Sequence, residues 1–80
     1  MVEVMASLVH DIWARWIDYL FSKSEMNEDG SCTIPASLVD RWQRQKETFY
    51  EDLSEEERYS DREIAKEILM VVKEEEDSWN

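Results

Sequence analysis

The sequence predicts an all-α fold, and three features of its composition indicate that class. Gly and Pro occur once each in 80 residues, too few for the tight turns of an all-β protein. Long-chain helix formers dominate, with Glu the most frequent residue. Hydrophobic residues make up 42% of the chain, which is too many for a disordered acidic polypeptide. We therefore expect a small three-helix domain over residues 1–76, with a short extra helical turn before the last helix and a loose tail at 77–80.

The first helix is expected from about Val2 to Ser22 and is unusually hydrophobic. Its apolar side chains cover about half of the helix circumference, wider than the roughly 100° stripe of a surface helix. This apolar arc comprises Met5, Leu8, Val9, Ile12, Trp13, Trp16, Ile17, Tyr19 and Leu20. Such a face needs more than one neighbour, and only two further helices are available. We therefore expect the chain to form a homo-oligomer.

A polar loop at residues 23–33 separates the first helix from the second. Asp29-Gly30 is typical of a tight turn, and a short extended piece is expected at Cys32 to Ile34. Pro35 suits the first turn of a second helix, which is expected to run to about Lys46. The loop lacks the ligand pattern of an EF-hand, and the chain has one cysteine. We expect no calcium, no zinc and no other cofactor.

The last helix is expected from about Asp61 to Lys73 or slightly beyond. Two capping boxes lie near its start: Ser54 with Glu57 precedes the helix, and Ser60 with Glu63 opens it. In a capping box the hydroxyl accepts a bond from an orphan backbone N–H, and the acid reaches back to the cap residue. Two boxes six residues apart predict one turn of helix, a step, and then the longer helix.

The charge of the chain is strongly negative. Twenty acidic against nine basic residues give a formal net charge of −11. That balance disfavours direct binding to nucleic acid, because affinity there comes from neutralising phosphates. Four consecutive acids at residues 74–77 stand at a helix C-terminus, where the dipole is also negative, so we expect fraying there. The first residues fit neither a signal peptide nor a membrane span, and a cytoplasmic protein without membrane contact is expected.

The chain has one basic patch. Arg41, Arg44 and Lys46 lie between Asp40 and Glu47 with no acid among them. These cations either complement the dipole at the end of the second helix or bind an anion. The pattern leaves both interpretations open.

Several aromatic and titratable residues also have two interpretations. Trp16 is expected in the core, whereas Trp13 and Trp42 either fill the core or stack on a base. His10 borders the apolar arc of the first helix, which is typical of a boundary residue. Asp61 is expected in the first turn of the last helix, kept ionised by the arginines that flank it. Neither a nucleophile–base pair nor a glycine-rich phosphate loop is present, so we expect no enzyme activity.

One segment resembles a known family. The pattern Tyr50-x-x-Leu53-Ser54-Glu55-x-Glu57-Arg58-x-x-Asp61-Arg62 resembles the signature of RyR domains, small helical modules repeated in ryanodine receptors and found alone in bacteria and phages. His10-Asp11-Ile12-Trp13 is similar to the His-x-x-Trp of their first helix. The glycines that RyR domains carry in the middle are absent, and Phe49 stands where they have a Pro. Ile34-Pro35 with Arg41-Trp42-x-Arg44-Gln45 resembles instead a set of small phage and prophage proteins. The resemblance implies a three-helix fold, a phage origin and a nucleotide-derived ligand.

The expected function is therefore non-catalytic capture of an anionic nucleotide-type ligand, such as a signal of bacterial immunity. Guanidinium groups would bind the phosphate and aromatic rings would stack on the base. The expected site residues are Arg41, Arg44 and Arg62 for phosphate, and Trp42, Trp13 and Tyr50 for the base. The alternative is an acidic inhibitor or adaptor that acts on a basic protein partner, such as a defence nuclease in the host cytoplasm. A structural virion component is a third possibility.

Overall fold

The structure, a computed structural model, describes residues 1–78 and the side chains of residues 1–77. It confirms the all-α class. Three helices dominate, and a two-stranded hairpin and one 3₁₀ turn connect them. In chain order the elements are α1 (Val2–Lys23), β1 (Glu25–Met26), β2 (Cys32–Thr33), α2 (Ala36–Glu47), the 3₁₀ turn (Tyr50–Asp52) and α3 (Glu55–Ser78). Trp79 and the end of the expected tail lie outside the described residues.

The chain divides into two units. The first, here called the terminal unit, comprises Met1–Trp13 and the chain from Ser54 onward. The second, the central unit, comprises Ala14–Leu53. The expected single domain over residues 1–76 stays a prediction.

The hairpin of the central unit is built by its turn residues. Gly30 has a φ of 89°, a left-handed value that glycine adopts without steric cost. The Asp29 carboxylate accepts hydrogen bonds from the Ser31 amide at 2.9 Å and from the Ser31 hydroxyl at 2.6 Å. These bonds hold the pKa of Asp29 below its usual value. Strands β1 and β2 then pair antiparallel in the register Glu25 to Thr33, which confirms the predicted turn and extended piece.

Helix α2 begins one residue after Pro35. The Pro35 carbonyl accepts bonds from the amides of Leu38 at 3.0 Å and Val39 at 3.1 Å, so proline serves as the cap residue. At the other end, the Thr48 hydroxyl donates to the Arg44 carbonyl at 2.6 Å and closes the last turn.

Helix α3 begins earlier than predicted. The Glu57 amide donates to the Ser54 hydroxyl oxygen at 3.2 Å, and that hydroxyl donates to the Glu57 carboxylate at 3.0 Å, which confirms the first capping box. The second box is wrong, because Ser60 lies inside a helix that runs without a step from Glu55 to Ser78. The extra turn before the last helix is instead the 3₁₀ turn, closed by the Leu53 amide on the Tyr50 carbonyl at 3.1 Å.

The side chains of the two units are only partly covered. None of residues 1–77 is buried, although the inward stripes of all three helices are half-buried. The expected core position of Trp16 is therefore wrong for the single chain, since 49% of that residue is exposed. The physical reason is the wide apolar arc of α1. A helix that is apolar over half of its circumference cannot be covered by so few neighbouring elements.

Candidate functional site

Three aromatic rings of the central unit are linked through Tyr19, which contacts both of the others. The Trp16 and Tyr19 rings meet edge to face at 5.9 Å between centroids, a favoured geometry for aromatic pairs. Tyr19 also contacts Trp42 of α2 at 6.3 Å. The Lys23 Nζ lies 5.7 Å from the Tyr19 centroid, within the range of a cation–π contact. Tyr19 thus joins α1 to α2 and holds a cation beside the rings.

Helix α2, which carries Trp42, also carries two arginines. Arg41 precedes Trp42 in α2 and is exposed, and Arg44 lies one turn further along and is exposed as well. We call the group formed by Trp16, Tyr19, Lys23 and Trp42 the aromatic–basic patch. Because Arg44 and Lys46 occupy the last turn of α2, they also complement its dipole. Both interpretations of these cations therefore stay open.

A second charged cluster lies at the start of α3 in the terminal unit. Glu55 forms ion pairs with Arg58 at 2.8 Å and with Arg62 two turns along the helix. The hydrogen bond and charge of Arg62, followed by the charge of Arg58, hold the pKa of Glu55 below its usual value. Arg62 is therefore already engaged by a carboxylate. This pairing competes with the predicted role of Arg62 as a phosphate ligand.

The expected position of Asp61 is wrong. Because α3 begins at Glu55, Asp61 lies in the helix interior and is exposed, and it does not occupy the first turn. The acid that pairs with the neighbouring arginines is Glu55. The signal for this was present in the sequence, since Glu55 stands three residues before Arg58 and seven before Arg62.

The structure places the remaining predicted site residues on different elements. Trp13 lies in the terminal unit, 57% exposed, with its ring stacked on His10 at 5.9 Å and 28°. Tyr50 opens the 3₁₀ turn of the central unit and is 45% exposed. The six predicted residues thus divide between units, four in the central and two in the terminal one. Only Trp42 among them is seen in the ring group.

Two members of the aromatic–basic patch were missed by sequence reasoning. Tyr19 was counted only as part of the apolar arc of α1, and Lys23 only as the start of the loop. Their spacing carried the signal. Tyr19 follows Trp16 by three residues and precedes Lys23 by four, and both separations bring side chains together on a helix.

The two units differ in charge. The terminal unit carries twelve acidic and four basic residues, and the central unit carries eight acidic and five basic ones. On α3 two large apolar side chains are exposed, Leu69 at 67% and Met70 at 62%, and the helical spacing places Lys66 one turn before them and Lys73 one turn after them. Spacing of seven residues along the helix places Leu69 in line with Glu76, and Met70 in line with Asp77. We call these four residues the α3 acidic–apolar face.

Other kinds of site find no support in the described part of the chain. Residues 1–78 hold no group of three or more His, Cys, Asp or Glu side chains arranged to bind a metal ion. Within the same residues, no helix combines the length and the apolar character needed to span a membrane.

Comparison with known proteins adds no family. No protein-family model, no curated protein and no solved structure matches the chain.

Proposed function

We propose that this chain is a non-catalytic acidic adaptor that binds a basic protein partner through the α3 acidic–apolar face. The observation that carries the proposal is the exposure of Leu69 and Met70 on a helix whose unit carries three acids for each base. Apolar side chains ringed by charge are typical of a protein interface with a hydrophobic centre and a polar rim. Complementary charge on the partner would steer the encounter and fix its orientation.

The lack of a buried core in residues 1–77 also favours a protein partner. A chain of 80 residues buries only about 60–65% of its unfolded surface, so its own packing gives thin stability. Covering exposed apolar surface adds roughly 25 cal/mol per Å² before the costs of association. A partner would therefore stabilise the folded chain as it binds.

Site-specific photo-crosslinking tests this function. A benzophenone amino acid is placed at Leu69 and, as the control, at Met26 of the hairpin, which has nearly the same exposure of 66%. On irradiation in the producing cells, we expect a protein adduct at position 69 and little at position 26. Mass spectrometry should map the adduct to peptides rich in Lys and Arg. When a lysate of the same cells is irradiated instead, the adduct yield should fall in about 1 M salt, where exposed charges are screened within roughly 3 Å.

Equal adduct yields at the two positions, or no adduct at position 69, would contradict the adaptor function. Adducts to acidic or uncharged peptides would contradict the proposed chemistry of the partner.

Capture of a nucleotide-type ligand is the second candidate, and the aromatic–basic patch favours it. Partly exposed rings beside Lys23, in a unit that also carries Arg41 and Arg44, offer stacking and phosphate contacts. The test is thermal stabilisation by ATP and by a cyclic dinucleotide. Arg41→Ala combined with Arg44→Ala should abolish the stabilisation, whereas Arg62→Ala, which removes an arginine already paired with Glu55, should retain it. Equal shifts in the double variant and the unchanged chain would refute this site.

A further inference from the structure

Helix α1 carries an apolar stripe that its own chain leaves largely uncovered. Apolar side chains recur along it at alternating separations of four and three residues, which is the repeat of a coiled-coil seam. Because α1 is one continuous helix, helical geometry alone aligns these side chains. We call this stripe the α1 seam, and its residues are Val2, Ala6, Val9, Trp13, Trp16 and Leu20.

Most of the α1 seam is exposed. Val2 is 78%, Val9 59%, Trp13 57% and Trp16 49% exposed, and only the last member, Leu20, is half-buried. In a coiled coil the side chains of one seam fit between those of another. A second helix with the same repeat would therefore cover this stripe.

We infer that the α1 seams of two copies of the chain pack against each other in antiparallel orientation and form a closed homodimer. The same surface serves both copies, so the contact is related by a two-fold axis and ends with the dimer. A second copy is the occupant because its seam has the matching repeat and length. The dimer uses α1 alone and is therefore separate from the proposed adaptor function of α3.

Side-chain size selects the antiparallel orientation. In the antiparallel register that uses all six seam residues, each layer pairs a smaller side chain with a larger one, which fills an interface without voids. The layers are Ala6 with Trp16, Val9 with Trp13, and Val2 with Leu20, each formed twice. A parallel pair would instead set like against like, with two Trp–Trp layers and a gap between the two copies of Ala6.

The distribution of charge also favours α1. Helix α1 has three acids and two bases, whereas α3 has ten acids and four bases. Of these two long helices, α1 is the one through which two chains of net charge −11 repel each other less. Asp11, Arg15 and Asp18 lie toward the opposite side of α1 from the seam. None of the seam residues is charged.

The exposed surface is sufficient for a weak specific dimer. The four most exposed members of the α1 seam each offer on the order of 100 Å². Counted in both copies, with the two remaining members included, the contact buries on the order of 1,000 Å², near the lower limit for a specific interface. We therefore expect a dimer that dissociates on dilution.

Exchanging the two residues of one layer tests the dimer. Sedimentation velocity over a dilution series measures its dissociation constant. Ala6→Trp sets two Trp side chains against each other and Trp16→Ala leaves a cavity, so each change should weaken the dimer at least about tenfold. The double variant again pairs small with large and should restore the dimer. Residues 6 and 16 lie about 15 Å apart along one helix, so packing within a single copy does not explain such a rescue.

Ser7→Trp and Phe21→Ala are the matched controls, because both positions are exposed and lie off the seam. Phe21 is 50% exposed, nearly the same as Trp16. Both controls should keep the dimer. Val9→Glu adds a charge to the seam at a position that is 59% exposed in the single chain, so it should weaken the dimer at least about tenfold while the helices stay formed. Circular dichroism verifies the helices of every variant.

The dimer should persist in about 1 M salt, because screening reduces the repulsion between two acidic chains and leaves an apolar contact in place. Loss of the dimer in that salt, an unchanged chain that is monomeric throughout the dilution series, or a double variant as weak as its single variants would overturn the inference. A monomeric chain whose position 69 still crosslinks to a basic protein overturns the dimer and leaves the adaptor function standing. A dimer without an adduct at position 69 does the reverse.

Discussion

Replacing Ser54 by alanine measures how much the start of α3 contributes to stability. The Ser54 hydroxyl oxygen accepts the Glu57 amide at 3.2 Å, and the same hydroxyl donates to the Glu57 carboxylate at 3.0 Å. Alanine removes both bonds and leaves an orphan amide in the first turn. Loss of a serine cap costs about 1 kcal/mol of the free energy of unfolding. For a chain of this size, that loss lowers Tm by roughly 4–8 °C.

Ser60→Ala is the matched control, because Ser60 belongs to an equally good capping pattern that the structure does not use. In a helix interior, alanine is favoured over serine by about 0.5 kcal/mol. We therefore expect Ser60→Ala to keep or slightly raise Tm. Ser54→Asp should restore most of the loss, since a carboxylate also caps a helix and favours the positive end of the dipole.

The assays are urea denaturation, which gives the free energy of unfolding, and thermal melting, which gives Tm; both are followed by circular dichroism at 222 nm, with all variants at one pH and salt concentration. A larger loss for Ser60→Ala than for Ser54→Ala would mean that the last helix begins at residue 61. The continuous helix from Glu55 would then be wrong.

Three further changes probe the hairpin, the ion pairs and the ring group. Folding depresses the pKa of Glu55 below the usual carboxyl value of 4.5, so the ion pairs stabilise the folded chain above that pH and are lost on acidification. Glu55→Gln should therefore lower the helicity of the chain above pH 4.5, and this difference from the unchanged chain should vanish at lower pH. A variant that differs from the unchanged chain equally at every pH would contradict this. Gly30→Ala should destabilise the hairpin by about 1 kcal/mol, because the φ of 89° at this position disfavours a Cβ even though the space around it is free. Gly30→Asn should destabilise the hairpin less, and amide hydrogen exchange measures both effects. Tyr19→Leu should weaken the near-ultraviolet dichroism of the Trp16 and Trp42 bands, and unchanged bands would show that Tyr19 does not order these rings.

The class of the fold follows from composition, and the hairpin follows from a short local signal. With one Gly and one Pro, the chain offers few places for a helix to stop. Gly30 marks the tight turn, since a left-handed φ there favours glycine. Pro35 marks the start of α2 because it cannot donate a backbone hydrogen bond. These features depend on nearest neighbours and are therefore readable from the sequence.

The start of α3 was predicted wrongly because two identical cap signals compete. Ser54 and Ser60 are each followed three residues later by Glu, so the local pattern favours neither. The choice is made by side chains further along the helix. Glu55 reaches Arg58 and Arg62 across the position of the supposed step, and that reach requires a continuous helix of two turns.

The candidate site was harder to predict than the helices. Periodicity identified the apolar arc of α1, but it does not tell how much of that arc other elements cover. Trp16 and Trp42 were weighed separately as core or stacking residues, whereas Tyr19 links them. Contacts between helices depend on their relative rotation, which a single sequence does not encode locally.

Helix α2 connects the stability of the chain to binding. It has 12 residues, and an isolated helix of about 12–15 residues is marginal in water. Its ring contact to α1 is made by Trp42 with Tyr19, and that contact leaves the rings partly exposed. A partner that covers Trp42 therefore stabilises α2 as well as the complex, by about 2.7 kcal/mol when its concentration is one hundred times the dissociation constant. Because binding at the aromatic–basic patch and formation of α2 are linked in this way, a substitution that weakens α2 should weaken binding there even where it touches no partner atom.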